Sequence, residues 1–209
     1  MNKLYVYGCS FSEPFQIETG GASFDSQGFR NLKGYDYWGT HLARQLDLEC
    51  KTKSLSGIGW NYINNRIDED ILLWTKNDVI IISPSFFTRV TFEELVKHDS
   101  QSELAHLMHD WTKIFNFNEG RWRQKIKILQ HHGYQVYTWL VDFSPNTAEL
   151  KNVITAQGHI NWKDWMDQHK EYWQDPTTNK YPMGDWHFNQ QGHLAVADIM
   201  YEYICQQQL

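Results

Sequence analysis

Val79-Ile80-Ile81-Ile82 is a run of four consecutive β-branched residues. A strand with one wet face alternates apolar and polar side chains. A run with no polar member suits a strand buried on both faces, as in the centre of a parallel sheet. Working outward, Leu4–Tyr7 is a short β-prone run that stops at Gly8, Glu49–Leu55 is another that ends at Gly57, and Gln135–Val141 is a fourth. Helical periodicity fills the intervals. Trp38–Leu46 puts Trp38, Leu42 and Leu46 on one face, and residues 61–74 carry Ile63, Ile67, Ile71 and Trp74 at helical spacing. Trp122–Leu129 reads as a helix ending before Gly133. Asn189 is placed to cap a last helix, with Leu194, Ala197, Tyr201 and Ile204 on one face. Residues 88–118 read as helical only in part, and residues 144–182 are Trp-rich and polar without a clear period. Alternating strand and helix predicts the α/β class: a parallel sheet of four or five strands between two helical layers, α/β/α. No repeat, low-complexity tract or linker interrupts the pattern, so one domain is expected over residues 1–209.

Composition narrows the function classes. The formal net charge is −6, whereas a nucleic-acid binder needs a basic surface to neutralise phosphates. The densest basic stretch, Arg121, Arg123, Lys125 and Lys127, reads as a solvated helix face. Cys9, Cys50 and Cys205 are odd in number and widely spaced, which fits neither a disulfide framework nor a metal site and suits reduced thiols in a cytoplasmic protein. The opening Met-Asn-Lys-Leu-Tyr-Val-Tyr has no signal-peptide apolar region, and no stretch approaches the roughly 20 apolar residues of a membrane span. No His-x-x-x-His or His-Glu-x-x-His spacing occurs, so metal hydrolysis is a poor fit, and there is no Gly-rich phosphate loop with a following Lys. Ten Trp and 15% aromatics overall are more than one core of this size holds. Many are therefore expected near the surface, either as binding platforms for sugars or bases or as scattered surface rings around a core.

In open α/β sheets functional groups gather beyond the carboxyl ends of the strands. Here the first strand runs into Gly8-Cys9-Ser10-Phe11-Ser12, the second into Ser54-Leu55-Ser56-Gly57-Ile58-Gly59, and the third into Ser83-Pro84-Ser85. Asp185-Trp186-His187-Phe188-Asn189 precedes the last helix. Hydroxyls, bare backbone amides, an imidazole and a carboxylate are what acyl transfer requires. A serine is weakly nucleophilic until a base takes its proton, a carboxylate orients that base, and amides or hydroxyls must meet the oxyanion.

The Gly-Cys-Ser-Phe-Ser opening after a first strand resembles the first block of the SGNH (GDSL-type) hydrolases. Asp-Trp-His-Phe-Asn-Gln-Gln-Gly-His resembles their closing block, and Ser56-Gly57 resembles their glycine block. The resemblance implies a flavodoxin-like three-layer fold and no cofactor. It implies Ser10 as nucleophile and, through its own amide, an oxyanion donor. Gly57 becomes the second donor, His187 the base and Asp185 its orienting acid. The family's third donor is an Asn after strand three, a place that falls here at Ser85. Cys9 stands where the family has Asp, and Asp185 lies two residues before His187 where three is commoner. Ser12, Cys9 and Gly59 are the nearby competitors for the nucleophile and donor roles, and Arg89 is a candidate for a substrate anion. The expected reaction is hydrolysis of a small ester. The Trp-rich stretches around Trp60 and Trp162–Trp173 point to a carbohydrate O-acetyl ester. An acyltransferase with the same triad, or a non-catalytic glycan-binding or assembly protein on the same fold, are the alternatives.

Overall fold

The computed structural model describes residues 1–8, 24–32, 37–54, 58–83, 111–139, 168–172 and 188–207. Within them, β1 (Lys3–Tyr7), β2 (Glu49–Thr52), β3 (Val79–Ile82) and β4 (Gln135–Thr138) form one sheet in the order β2-β1-β3-β4. Every pairing is parallel. The helices are α1 (Trp38–Gln45), α2 (Trp60–Asp70), α3 (Trp111–His131) and α4 (Gln190–Gln207), and a 3₁₀ turn, Ile71–Leu73, follows α2.

All four residues of β3 are buried, as the VIII run requires. Alternation sends Val79 and Ile81 to one face and Ile80 and Ile82 to the other. The first pair joins Leu4 and Val6 against Trp38 and Leu42 of α1 and Val196, Ala197, Met200 and Ile204 of α4. The second joins Tyr5 and Tyr7 against Ile63 and Ile67 of α2 and Trp122, Ile126 and Leu129 of α3. The sheet is therefore the middle of three layers, as expected from the sequence. Fully burying each such Ile contributes about 1.5–3 kcal/mol.

Two cores, one on each side of the sheet, give large rings two places to fill. Trp38, Trp60, Trp74, Trp122 and Trp139 are all buried; the side chains of the other Trp residues lie outside the described ones. Ring packing runs across layers: Trp38 meets Trp139 edge-on, and Trp74 packs on Tyr5, Tyr7 and Tyr134.

Several bounds differ from the sequence reading. β2 stops at Thr52 and β4 at Thr138; each threonine hydroxyl donates to a neighbouring strand's carbonyl, Thr52 to Val6 (3.1 Å) and Thr138 to Ile82 (2.6 Å). The helix read as Trp122–Leu129 extends from Trp111 to His131. It ends where Gly133 takes a positive φ of 79° and the amides of Gly133 and Tyr134 return to the carbonyls of Gln130 and Leu129, a Schellman-type stop. On α4 the apolar face is displaced from the expected one: His193, Val196, Ala197, Met200 and Ile204 are buried, while Leu194 is 41% exposed. Leu194 sits one residue, about 100°, off that stripe. The basic residues of α3 are not one solvated face either. Arg121 and Lys127 are exposed, but Lys125 is partly buried and reaches across to Asp68 of α2, since residues two apart on a helix point to opposite sides.

Cys50 is partly buried, with its sulfur 3.4 Å from the Tyr37 hydroxyl, and burial pushes its thiol up to about 12. A thiol that stays protonated is a poor nucleophile. No helix among the described residues is long and apolar enough to cross a membrane.

Asp78, buried in the turn before β3, holds the start of the sheet. One carboxylate oxygen accepts the Lys3 amide (2.7 Å), and the other accepts the Thr75 amide (2.7 Å) and hydroxyl (2.9 Å). Asp78→Ala leaves those donors without their charged acceptor. It is expected to lower the unfolding free energy by about 1.5–3 kcal/mol in urea melts, and a loss within error of zero contradicts this role.

Candidate active site at the carboxyl edge of the sheet

The strand order makes one place on the sheet special. From β1 the chain moves outward to β2, then returns past β1 to β3 and on to β4. The direction reverses between β1 and β3, and in doubly wound sheets ligands bind in the crevice beyond that reversal. Here Tyr7, Ile82 and Thr138 lie level across β1, β3 and β4, and Val6 pairs with Thr52 on β2. Side chains and loop amides tie the ends together. The Ser83 amide donates to the Tyr7 carbonyl (2.8 Å), the Lys53 amide to the Val6 carbonyl (3.1 Å), and the Ser54 amide to the Thr52 hydroxyl (3.1 Å).

Ser10, Gly57, Ser85, Asp185 and His187 all lie outside the described residues, as do Cys9, Ser12, Arg89 and all of the Trp162–Trp173 stretch except residues 168–172. What is described is the frame from which their segments leave. Ser10 follows Tyr7 by three residues and Ser85 follows Ile82 by three, on the two strands that flank the reversal. Gly57 stands three residues ahead of Trp60, where α2 begins with Gly59 as its N-cap in extended backbone. Gly59, the competing donor, caps that helix through its carbonyl, which accepts the Ile63 amide (3.4 Å). The partial positive charge of a helix N-terminus favours an anion nearby. His187 immediately precedes Phe188, which is buried between the sheet and α4.

Asn189 caps α4 as expected, its side-chain oxygen accepting the Gly192 amide (2.9 Å). It also does something the sequence did not announce. Its side-chain nitrogen donates to the Glu171 carbonyl (2.7 Å) and its amide to the Tyr172 carbonyl (2.8 Å). The turn Lys170–Tyr172 is thus docked on the start of α4, two residues from His187. Within that turn His169 stacks on Tyr172 at 5.4 Å, and its Nδ1 meets the Glu171 carboxylate at 3.1 Å. The Glu171 carboxyl is held below its usual range by hydrogen bonds from its own backbone and from His169. These residues fall in the stretch without periodicity, and only the Asn-x-x-Gly spacing of residues 189–192 hinted at a docking point.

Two further polar residues close the frame. Ser54 and Ser83, at the ends of β2 and β3, are buried, and their hydroxyls have no hydrogen-bond partner among the described residues. Trp60, one of the residues taken to point to a sugar substrate, is 0% exposed and packed in the α2 core; it presents no face to a ligand. Among the described residues no group of three or more His, Cys, Asp or Glu is placed to hold a metal.

No protein-family model matches the chain, and no curated protein does. Solved structures do. A Parabacteroides merdae protein assigned as a GDSL-like lipase superposes with a TM-score of 0.51 at 12% identity, over 98% of this chain and 95% of that one. An acetyl-xylooligosaccharide esterase from Geobacillus gives 0.48 at 14% identity, over 97% and 94%. A protein of the G-D-S-L lipolytic family from Desulfitobacterium hafniense gives 0.45 at 11%, over 97% and 99%. At such identities a likeness speaks for the fold, and the first of these carries it. The chain shares the three-layer α/β/α fold of that structure.

Gly192 offers a direct check of the docking. A Cβ there would run into the Tyr172 carbonyl oxygen and crowd Phe188. Gly to Ala inside a helix ordinarily stabilises by about 1 kcal/mol. Gly192→Ala is expected to destabilise instead, read as a lowered Tm. A raised Tm would show that the turn does not press on α4.

Proposed function

We propose that the chain is a serine esterase acting on a small carboxylic ester through an acyl-enzyme. The observation that carries this reading is the departure of the Ser10 and Ser85 segments from the level ends of β1 and β3, the pair that flanks the reversal of strand order. Three residues reach at most roughly 10 Å and neighbouring strands lie about 4.8 Å apart. Both serines therefore start from neighbouring strand ends, which supports bringing them to one site. His187 directly precedes Phe188, which is buried in the core shared by β1, β3 and α4.

In the proposed reaction His187 takes the proton of Ser10 as its oxygen attacks the ester carbonyl. Asp185 holds the imidazole in the required tautomer and stabilises its cation. Two residues apart in an extended segment, the two side chains leave the backbone on the same side. The amides of Ser10 and Gly57 and the hydroxyl of Ser85 meet the oxyanion. His187 then protonates the leaving alcohol, and water, activated by the same base, releases the acid. No cofactor or metal has a part in these steps. A carbohydrate O-acetyl ester remains the proposed substrate class on the Trp162–Trp173 stretch alone, without Trp60.

A fluorophosphonate probe is expected to label Ser10, with the modified peptide mapped by mass spectrometry. Ser10→Ala is expected to abolish both labelling and hydrolysis of acetyl esters. Activity should rise with pH through an apparent pKa around 6.5, that of an unperturbed imidazole, and His187→Ala should remove that limb. Labelling at Cys9 or Ser12 instead would overturn the choice of nucleophile. Transfer of acetyl to a sugar alcohol in preference to water would make the enzyme an acyltransferase, and no turnover at all would favour a binding protein. Ser85→Ala is expected to lower kcat by roughly 10²–10³-fold with little change in KM; an unchanged kcat removes Ser85 from the oxyanion site.

A further inference from the structure

A buried ion pair lies beneath the carboxyl edge, and the proposed chemistry does not use it. Asp70, the last residue of α2, is buried, and its carboxylate accepts from two different strand ends. One oxygen takes the Lys53 ammonium at 2.7 Å, the other the Tyr7 hydroxyl at 2.8 Å. The side chains of Lys53 and Asp70 are 7% and 3% exposed. The Tyr7 oxygen in turn accepts the indole N–H of Trp74 at 3.2 Å. The Lys53 ammonium also lies over the Phe29 ring, 4.6 Å from its centre. Burial and the Asp70 carboxylate hold the Tyr7 phenol well above its usual range, so it is a hydrogen-bond donor at any working pH.

Removing two charges from water is costly, and a well-packed apolar pair in their place is often as stable or more so. Stability alone is therefore a weak reason for the pair. Its position offers a better one. Tyr7 is the last residue of β1, three before Ser10; Lys53 follows β2, four before Gly57. Asp70 closes the helix that begins three residues after Gly57. One carboxylate thus joins the root of the nucleophile segment, the root of the glycine segment and the helix behind that segment.

We propose that Asp70 is a positioning residue, which with Tyr7 and Lys53 sets the separation between the proposed nucleophile and its second oxyanion donor. The inference rests on the esterase reading above. Displacing a reacting group by about 1 Å can cost on the order of 10²-fold, and directional bonds to charged groups hold a separation that apolar packing does not.

The test uses the full chain with Asp70→Asn, Tyr7→Phe and the double variant Lys53→Met/Asp70→Leu. Each is assayed for acetyl-ester kcat and KM, for the rate of fluorophosphonate labelling at Ser10, and for Tm. Asp70→Asn and Tyr7→Phe are expected to lower kcat and the labelling rate by roughly tenfold or more, with KM within about twofold. The double variant is expected to recover Tm, because no charge is left buried alone, but not to recover kcat. Recovery of kcat together with Tm would show that the pair serves stability only and would overturn the proposal. So would single variants that stay folded with kcat unchanged. If Asp70→Asn does not fold, Tyr7→Phe, which removes only one oxygen, decides by the same readouts. Should the unsubstituted chain neither label at Ser10 nor turn over ester, the esterase reading fails and this inference falls with it. Normal labelling and turnover with unaffected variants sinks the positioning role alone.

Discussion

Burial of β3 on both faces is the constraint from which the other features follow. Val79 and Ile81 can leave water only if a helical layer covers one side, and Ile80 and Ile82 only if another covers the opposite side. A strand covered on both sides by helices needs parallel neighbours, and parallel neighbours need crossovers. That places α1 and α4 against one face and α2 and α3 against the other. The two cores then accommodate rings such as Trp38, Trp60 and Trp122 that one core would have expelled.

The same constraint determines where chemistry can sit. Parallel strands deliver all their carboxyl ends to one edge, and the strand order reverses between β1 and β3, the place beyond which doubly wound sheets bind ligands. The edge is kept level by short-range devices: the Thr52 and Thr138 hydroxyls, the Ser83 amide on Tyr7, and Asn189 tying α4 to the Lys170–Tyr172 turn. None of these is catalytic by type. They set the starting points of the segments that carry Ser10, Gly57, Ser85 and His187. Asp70 adds a connection of a different kind, a charged one, between two of those starting points.

Much of this architecture was legible in the sequence because hydrophobic periodicity reports burial directly. VIII declared a doubly buried strand, and Ile63 and Ile67 declared the inner face of α2. Asn189 declared a cap because its side chain acts on backbone two or three residues away. Features resting on distant partners were not legible. The Thr52 and Thr138 hydroxyls at the ends of β2 and β4 find carbonyls on other strands. The buried face of α4 depends on which side meets α1 and the sheet, and Leu194 and Val196 are equally apolar to a sequence reading. Lys53, Asp70 and Tyr7 are 17 and 63 residues apart across their two bonds, with no local pattern to mark them. The candidate triad was read from motif resemblance and strand ends, and its residues lie outside the described ones.

The central claim is that the carboxyl edge assembles Ser10, Gly57, Ser85 and His187 around one reacting atom. A crystal structure of the chain after reaction with a fluorophosphonate tests it most directly. The account predicts phosphorus bonded to the Ser10 oxygen, one phosphonyl oxygen within about 3 Å of the Ser10 and Gly57 amides, and the His187 ring facing the Ser10 oxygen. Phosphorus on another residue, or a phosphonyl oxygen turned away from both amides with His187 remote, would contradict it.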